Sequence, residues 1–303
     1  MVRALARLVC ALTPRAATRL ARLFAWLWYY VLPIRKGVSL ANVARVFPET
    51  PVAERRAIVR RSFENLCLFA VESLRLRLLT PELSARLVER RGFEHLEQAL
   101  ARGKGVVVVT AHLGNFDLLG ASQAIRGVPV HGLFKPIAWR SAHDFFFGVR
   151  EACGMKIIAP KGSERAILKA LRSGEAVAFV IDQHMPKRRG IVTTFFGQLV
   201  STTPAPALFA LKTDATLLPA TIRRADDGIH HVVTIDPPLV LERPFGESSA
   251  DIRHNTERLN RWLEQKILEN PGQWLWAHRR WKVQDNPKGW DIPAELRGLA
   301  AHE

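Results

Sequence analysis

The chain has 303 residues, 48% of them hydrophobic and 24% charged, a balance that excludes a disordered polymer and supplies a sizeable core. Its 44 Lys and Arg against 28 Asp and Glu leave a net charge of +16, which calls for an anionic partner: a nucleic acid, an anionic membrane, a phosphorylated lipid or an acidic protein. The three cysteines, Cys10, Cys67 and Cys153, are scattered and point to a reducing compartment, and none of the ten histidines stands in a metal-ligand spacing, so no metal is expected.

No Gly/Ser- or Pro-rich linker divides the chain, and no repeat is visible. We expect a membrane-associating helical segment at 1–50, one catalytic domain at 51–290 and a tail at 291–303. Residues 1–48 carry Arg3, Arg7, Arg15, Arg19, Arg22, Arg35, Lys36 and Arg45 and no acid, interleaved with Leu23, Phe24, Trp26, Trp28, Tyr29 and Tyr30. Cations beside an aromatic-rich apolar stretch read as a membrane-surface element. The apolar run 23–34 falls short of the roughly 20 residues a spanning helix needs, although a tilt or the preceding turn could extend it. Pro14 and Arg15 break the first apolar stretch, which disfavours a cleaved signal.

Helical spacing of Ile58, Phe63, Leu66, Phe69 and Leu74 predicts a long helix over 51–77, and a shorter one is expected over 93–101. Strands and helices then alternate: strand 106–110, helix 116–125, strand 129–134, helix 142–153, strand 156–159, helix 163–172, strand 176–181. That order predicts an α/β fold with a largely parallel sheet flanked by helices. A hairpin around Gly197, a helix opened by Pro204, strands near 216–223 and 230–236 and a helix over 250–268 complete the expectation.

The run Val106-Val107-Val108-Val109-Thr110 ends at Ala111-His112-Leu113-Gly114-Asn115-Phe116-Asp117. A short β-branched run reads as a strand buried on both faces, so His112 and Asn115 stand at its carboxyl end, where open α/β sheets place ligands. Two arrangements fit. In one, a turn through Gly114 and Asn115 folds Asp117 back onto His112 as an orienting carboxylate. In the other, His112 merely caps the following helix and Asp117 is a solvated first-turn acid. Asp182 and Gln183 follow the apolar strand 176–181, so they reach the same sheet edge if the two strands run parallel, or else form an ordinary strand-end turn. The loop Pro186-Lys187-Arg188-Arg189-Gly190 comes directly after. Trp274-Leu275-Trp276 and Arg279-Arg280-Trp281-Lys282 mix rings and cations, but no nucleic-acid-binding pattern accompanies them. A membrane interface or a core seam is favoured, and no nucleic acid is expected.

The box His-x-Gly-Asn-Phe-Asp resembles the acceptor-activating motif of the lysophospholipid and glycolipid acyltransferases. More narrowly the chain resembles the late acyltransferases of lipid A biosynthesis, through Asn42-Val43-Ala44-Arg45-Val46-Phe47-Pro48-Glu49, Phe134-Lys135-Pro136, Asp182-Gln183, Phe195-Phe196-Gly197, Thr203-Pro204-Ala205-Pro206-Ala207 and 274–282. Many of that family have Glu at the acid position of the box; here it is Asp117. The resemblance implies a glycerol-3-phosphate acyltransferase-like fold and transfer of an acyl chain from acyl carrier protein or coenzyme A to a phosphorylated glycolipid at the cytoplasmic face of a bacterial inner membrane. It implies His112 as base with Asp117 holding it, and Arg150, with Lys135 behind it, as the arginine that handles anionic groups; that chemistry needs no dissociable cofactor. By their place beside the same site, Asn115, Asp182, Gln183, Arg188 and Arg189 are read as further substrate-binding residues. A lysophospholipid or mannoside acceptor, and a basic membrane- or nucleic-acid-binding module without catalysis, are the alternatives.

Overall fold

The structure is a computed structural model that describes residues 2–32, 34–246 and 248–300; Pro33 of the apolar run and 301–303 of the expected tail lie outside it. In chain order the elements are α1 (Val2–Ala11), α2 (Pro14–Tyr30), α3 (Lys36–Val46), α4 (Val52–Arg75), α5 (Pro81–Leu87), β1 (Val88–Arg91), α6 (Phe93–Ala101), β2 (Val106–Thr110), α7 (Phe116–Ala124), β3 (Val130–Leu133), α8 (Arg140–Ala152), β4 (Lys156–Ile158), α9 (Glu164–Arg172), β5 (Ala176–Val180), β6 (Ile191–Phe195), β7 (Gln198–Thr202), α10 (Ala205–Thr213), β8 (Thr216–Arg224), β9 (His231–Ile235), α11 (Ser248–Glu269) and α12 (Lys282–Asp285).

Seven strands form one sheet in the order β1-β9-β8-β2-β5-β3-β4, every neighbouring pair parallel except antiparallel β8 and β9. The fold is therefore α/β with a mostly parallel mixed sheet. Both faces are covered, as the valine run of β2 requires. Val106 and Val108 pack with α6, α7 and α8 on one side, and Val107 and Val109 with α9, α10 and α11 on the other. The β6–β7 hairpin stands as its own two-stranded sheet, turning through Phe196 and Gly197, both with positive φ.

The short elements α5, β1 and α12 went unpredicted. The helix α5 is only seven residues long, and β1 reads Val-Glu-Arg-Arg with Val88 alone buried, so neither carries a usable period. A short charged strand suits a sheet edge.

Helix α2 inverts the ordinary pattern of an amphipathic surface helix. It buries Ala17, Ala21 and Ala25 at four-residue spacing, mainly against α4, and turns Leu23, Phe24, Trp26 and Tyr30 outward at 52–54% exposure. Small side chains let the helix lie close to its neighbour while the large ones stay free. No helix among the described residues is long and apolar enough to cross a membrane.

Candidate active site

The site is made by adjacency of β2 and β5. Their parallel register sets Thr110 opposite Val180, and the Ile181 N–H donates to the Thr110 carbonyl at 3.1 Å, so His112 and Asp182 leave the sheet side by side. His112 Nδ1 lies 2.7 Å from Asp182 Oδ1, and the His112 backbone N–H donates to Asp182 Oδ2 at 2.9 Å. Trp274 Nε1 donates to the same Oδ2 at 2.7 Å. Burial alone would raise the Asp182 carboxyl; the neighbouring His112 and the hydrogen bonds from His112 and Trp274 outweigh it and hold the group down at about 2. Asp182 is therefore a carboxylate, which accepts and cannot donate, and the imidazole proton is fixed on Nδ1. Nε2 is left with its lone pair, 3.2 Å from Gln183 Nε2.

The expected Asp117–His112 pair does not form. The turn is there, with Gly114 at φ +62°, where an added Cβ would lie 2.1 Å from the Ile222 carbonyl oxygen. It does not fold the acid onto the base. Asn115 caps α7 by accepting from the Leu118 N–H at 3.0 Å, which commits Asp117 to the first helical turn. There it takes two bonds from Arg150 of α8, Nε at 3.1 Å and Nη2 at 2.7 Å. Both side chains are nearly sequestered, 2% and 11% exposed, and the guanidinium also lies 4.1 Å from the Phe134 ring centroid. Arg150 thus joins α7 to α8 and has little left to offer an anion, while the carboxylate on the histidine comes from 70 residues further along the chain.

The remaining predicted residues divide into two groups. Asn115 Nδ2 donates to Glu72 at 2.7 Å, and Glu72 takes a bidentate pair from Arg224, one bond at 2.9 Å. Burial opposes the Glu72 charge, but Arg224 and His231 overcome it and bring the carboxyl down to about 2. Asn115 therefore serves the packing of the box. Lys135, Arg188 and Arg189 are exposed on loops after β3 and β5, whose carboxyl ends lie on the same sheet edge as His112; no hydrogen bond among the described residues joins them to it.

The tryptophan block is the part that sequence reasoning underused. Trp274, Trp276 and Trp281 are buried, so this block is a core seam and not a membrane face. Leu113 pairs with Trp274 in an antiparallel bridge, the Gly114 N–H donates to the Gln273 carbonyl and the Leu275 N–H to the His112 carbonyl, each at 3.1 Å. Residues 273–275 thereby brace the histidine loop. Asn42 Nδ2 in turn holds the carbonyls of Trp276 and His278, at 2.7 and 2.8 Å. Arg280, fully buried, donates to the carbonyls of Gln183 and Ser201 and to Thr202 Oγ1, at 2.7–2.9 Å. Burial pushes it down to about 10 even beside Asp182, so it remains a cation near neutral pH. Burial likewise drives His278 down to about 4 despite the opposing pull of Asp182; its Nε2 accepts from the His184 N–H at 2.9 Å. The signal for these roles was present in the sequence, since Asn42 and residues 274–282 lay in the blocks singled out there, but spacing does not say which block meets which.

A cavity of about 50 Å³ lies between α7 and the sheet, lined by Val108, Phe116, Gly132, Met155, Ala178 and other apolar groups. Phe116 sits edge-on to the His112 ring, centroids 4.8 Å apart, so the cavity begins where the dyad ends.

The profile of the family described as bacterial lipid A biosynthesis acyltransferase matches residues 1–283. Among curated proteins the chain is 28% identical over 250 residues to a phosphatidylinositol mannoside acyltransferase of Mycobacterium tuberculosis (strain CDC 1551 / Oshkosh), covering 79% of this chain and 75% of that one. It is 26% identical over 261 residues to the lipid A biosynthesis lauroyltransferase of Escherichia coli K12, covering 84% and 81%. The solved 1-acyl-sn-glycerophosphate acyltransferase of Thermotoga maritima aligns with 86% of this chain and 99% of its own at 13% identity and a TM-score of 0.38. The profile match spans nearly the whole chain, from the N-terminal helices through the histidine box to the tryptophan seam, and the protein is therefore an acyltransferase that belongs to the bacterial lipid A biosynthesis acyltransferase family.

Proposed function

We propose that the chain moves a fatty acyl group from a thioester to a hydroxyl of a membrane glycolipid, a phosphorylated lipid A precursor, with His112 as general base and Asp182 as the carboxylate that orients it. The observation that carries this reading is the His112–Asp182 pair. It leaves an unprotonated Nε2 at the carboxyl edge of a parallel sheet, ready to take a hydroxyl proton. No serine or cysteine stands hydrogen-bonded to His112 among the described residues, so the acceptor oxygen attacks the thioester directly. The mostly apolar lining of the cavity beside Phe116 suits the end of an acyl chain, and its volume of about 50 Å³ would have to widen to admit one. Similarity to a mannoside acyltransferase keeps a mannosylated lipid as the second acceptor.

Acyl carrier protein is the favoured donor over coenzyme A. Lys135, Lys187, Arg188 and Arg189 are exposed on the loops that edge the site, and an acidic protein exploits such a field better than a small cofactor does. The protein meets its acceptor at the membrane through α1 and α2, whose outward Leu5, Leu8, Phe24 and Trp26 are interspersed with exposed Arg3, Arg7, Arg19 and Arg22. Placement at the cytoplasmic face of an inner membrane rests on the family resemblance.

The test is transfer of radiolabelled acyl groups from acyl carrier protein or coenzyme A to lipid A precursors, phosphatidylinositol mannosides and lysophospholipids, with wild type beside His112→Ala. Loss of a general base costs about 10²–10⁴-fold, so a labelled glycolipid that fades in the variant supports the reading. No product with any acceptor from folded wild type would sink it.

A further inference from the structure

Asp182 holds the His112 proton on Nδ1, so Nε2 attracts donors only. The group facing it at 3.2 Å is the Gln183 side chain, whose carboxamide must therefore turn its NH2 and not its carbonyl to the ring. The lone pair that has to receive the acceptor proton is already taken. An acceptor hydroxyl must displace the amide, and displacement frees an N–H of a side chain that rests 3.2 Å from the base.

As the new C–O bond forms, negative charge gathers on the thioester oxygen, and preorganised donors there are worth more than donors elsewhere. Most neighbouring donors are already spent. The His112 N–H serves Asp182, the Gly114 N–H serves Gln273, the Trp274 indole serves Asp182 and the Arg150 guanidinium serves Asp117. Gln183 has a second N–H without a hydrogen-bond partner among the described residues. Its backbone does not drift, because the fully buried Arg280 holds its carbonyl at 2.9 Å and the preceding Asp182 accepts three bonds. Only the side chain is left to move.

We propose that Gln183 is a catalytic residue with two successive partners, the lone pair of His112 in the resting site and the thioester oxygen in the transition state. The inference rests on His112 being the base. The acceptor O–H gives its proton to Nε2 as its oxygen bonds to the carbonyl carbon. The C=O π pair moves onto the oxygen, where the Gln183 N–H donates. On collapse the C–S bond breaks, and the sulfur leaves as a thiol with the proton from Nε2.

The experiment compares wild type, His112→Ala, Gln183→Ala and Gln183→Glu in acyl transfer, and measures modification of His112 by diethyl pyrocarbonate through peptide mass spectrometry. Losing one oxyanion donor costs about 10²–10³ in kcat, so both Gln183 variants fall by that order while KM for the acceptor stays level or drops. In Gln183→Ala the uncovered Nε2 is also modified faster than in wild type. A slower transfer with a more reactive base is a pairing that a merely structural role would not produce. Transfer within threefold of wild type, a loss carried wholly by KM, or unchanged His112 reactivity in Gln183→Ala would each overturn the proposal. Should the Ala variant fail to fold, the Glu variant, equal in size, decides on kcat; unfolding of both would make Gln183 structural and end it. Failure of the underlying reading looks different, since His112→Ala would then keep full transfer.

Discussion

Replacing Asp182 by Asn changes one atom and should abolish the base. The two sides of the carboxylate are unequal: Oδ2 accepts both the His112 N–H and the Trp274 indole, while Oδ1 faces His112 Nδ1 alone. In Asp182→Asn the amide oxygen keeps the Oδ2 position, because the reverse orientation would set an NH2 against two donors and forfeit two hydrogen bonds at about 1 kcal/mol each. The new NH2 then points at Nδ1, which must become an acceptor, and the imidazole proton shifts to Nε2. A histidine protonated on Nε2 cannot take the acceptor proton. The same exchange in a serine protease triad costs about 10⁴ in kcat through the same wrong tautomer, and a fall of about 10³–10⁴ is expected here. The assay is acyl transfer at saturating acceptor, with circular dichroism to establish that the variant is folded. A folded Asp182→Asn variant working within tenfold of wild type would refute the assignment of the proton, and with it the role of Asp182.

Arg150→Met leaves Asp117 as a buried carboxylate without its cation. Such a loss costs about 3–5 kcal/mol, and thermal unfolding should start on the order of 10 °C lower; an unchanged melting temperature would show that the pair does not hold α7 to α8. Stability should also fall with acid. His278 takes its proton near pH 6.5 when unfolded but only at about 4 when folded, so between those values the unfolded chain binds more protons and stability drops as pH falls. Melting curves from pH 8 to 4 should show that decline in wild type and less of it in His278→Gln; equal slopes would remove His278 as its source. Below pH 4 the depressed Asp182 and Glu72 carboxyls add a further loss, down to about pH 2. Finally, Gly120→Val would fill the apolar cavity from α7 and press on Met155, whose Cε lies 2.7 Å from an added Cβ. Acyl preference should move to shorter chains in competition assays with mixed donors, and an unchanged profile would place the acyl chain elsewhere.

Much of the fold was legible because its signals are local. The valine run of β2, Pro204 before α10 and the glycine in the β6–β7 turn each act over a few residues, and the alternation of strand and helix over 106–181 leaves few sheets to choose from. The edge strand β1 was not legible, because a strand paired on one side and solvated elsewhere needs no apolar period. Likewise, His112 at the end of a buried strand could be read as a site, since any residue there emerges at the ligand-binding edge. Which carboxylate serves it could not. Asp117 is the neighbour in sequence, yet the cap at Asn115 winds it into α7 and toward Arg150, and the parallel pairing of β2 with β5 brings Asp182 across instead. The sequence by itself determined the strands, the turn and the histidine at its end, because backbone sterics and hydrophobic period are properties of adjacent residues. Only the tertiary structure decided the dyad, the Trp274 donor and the Arg280 brace, because strand order and the direction of a side chain from a helix are settled by packing between segments far apart in the chain.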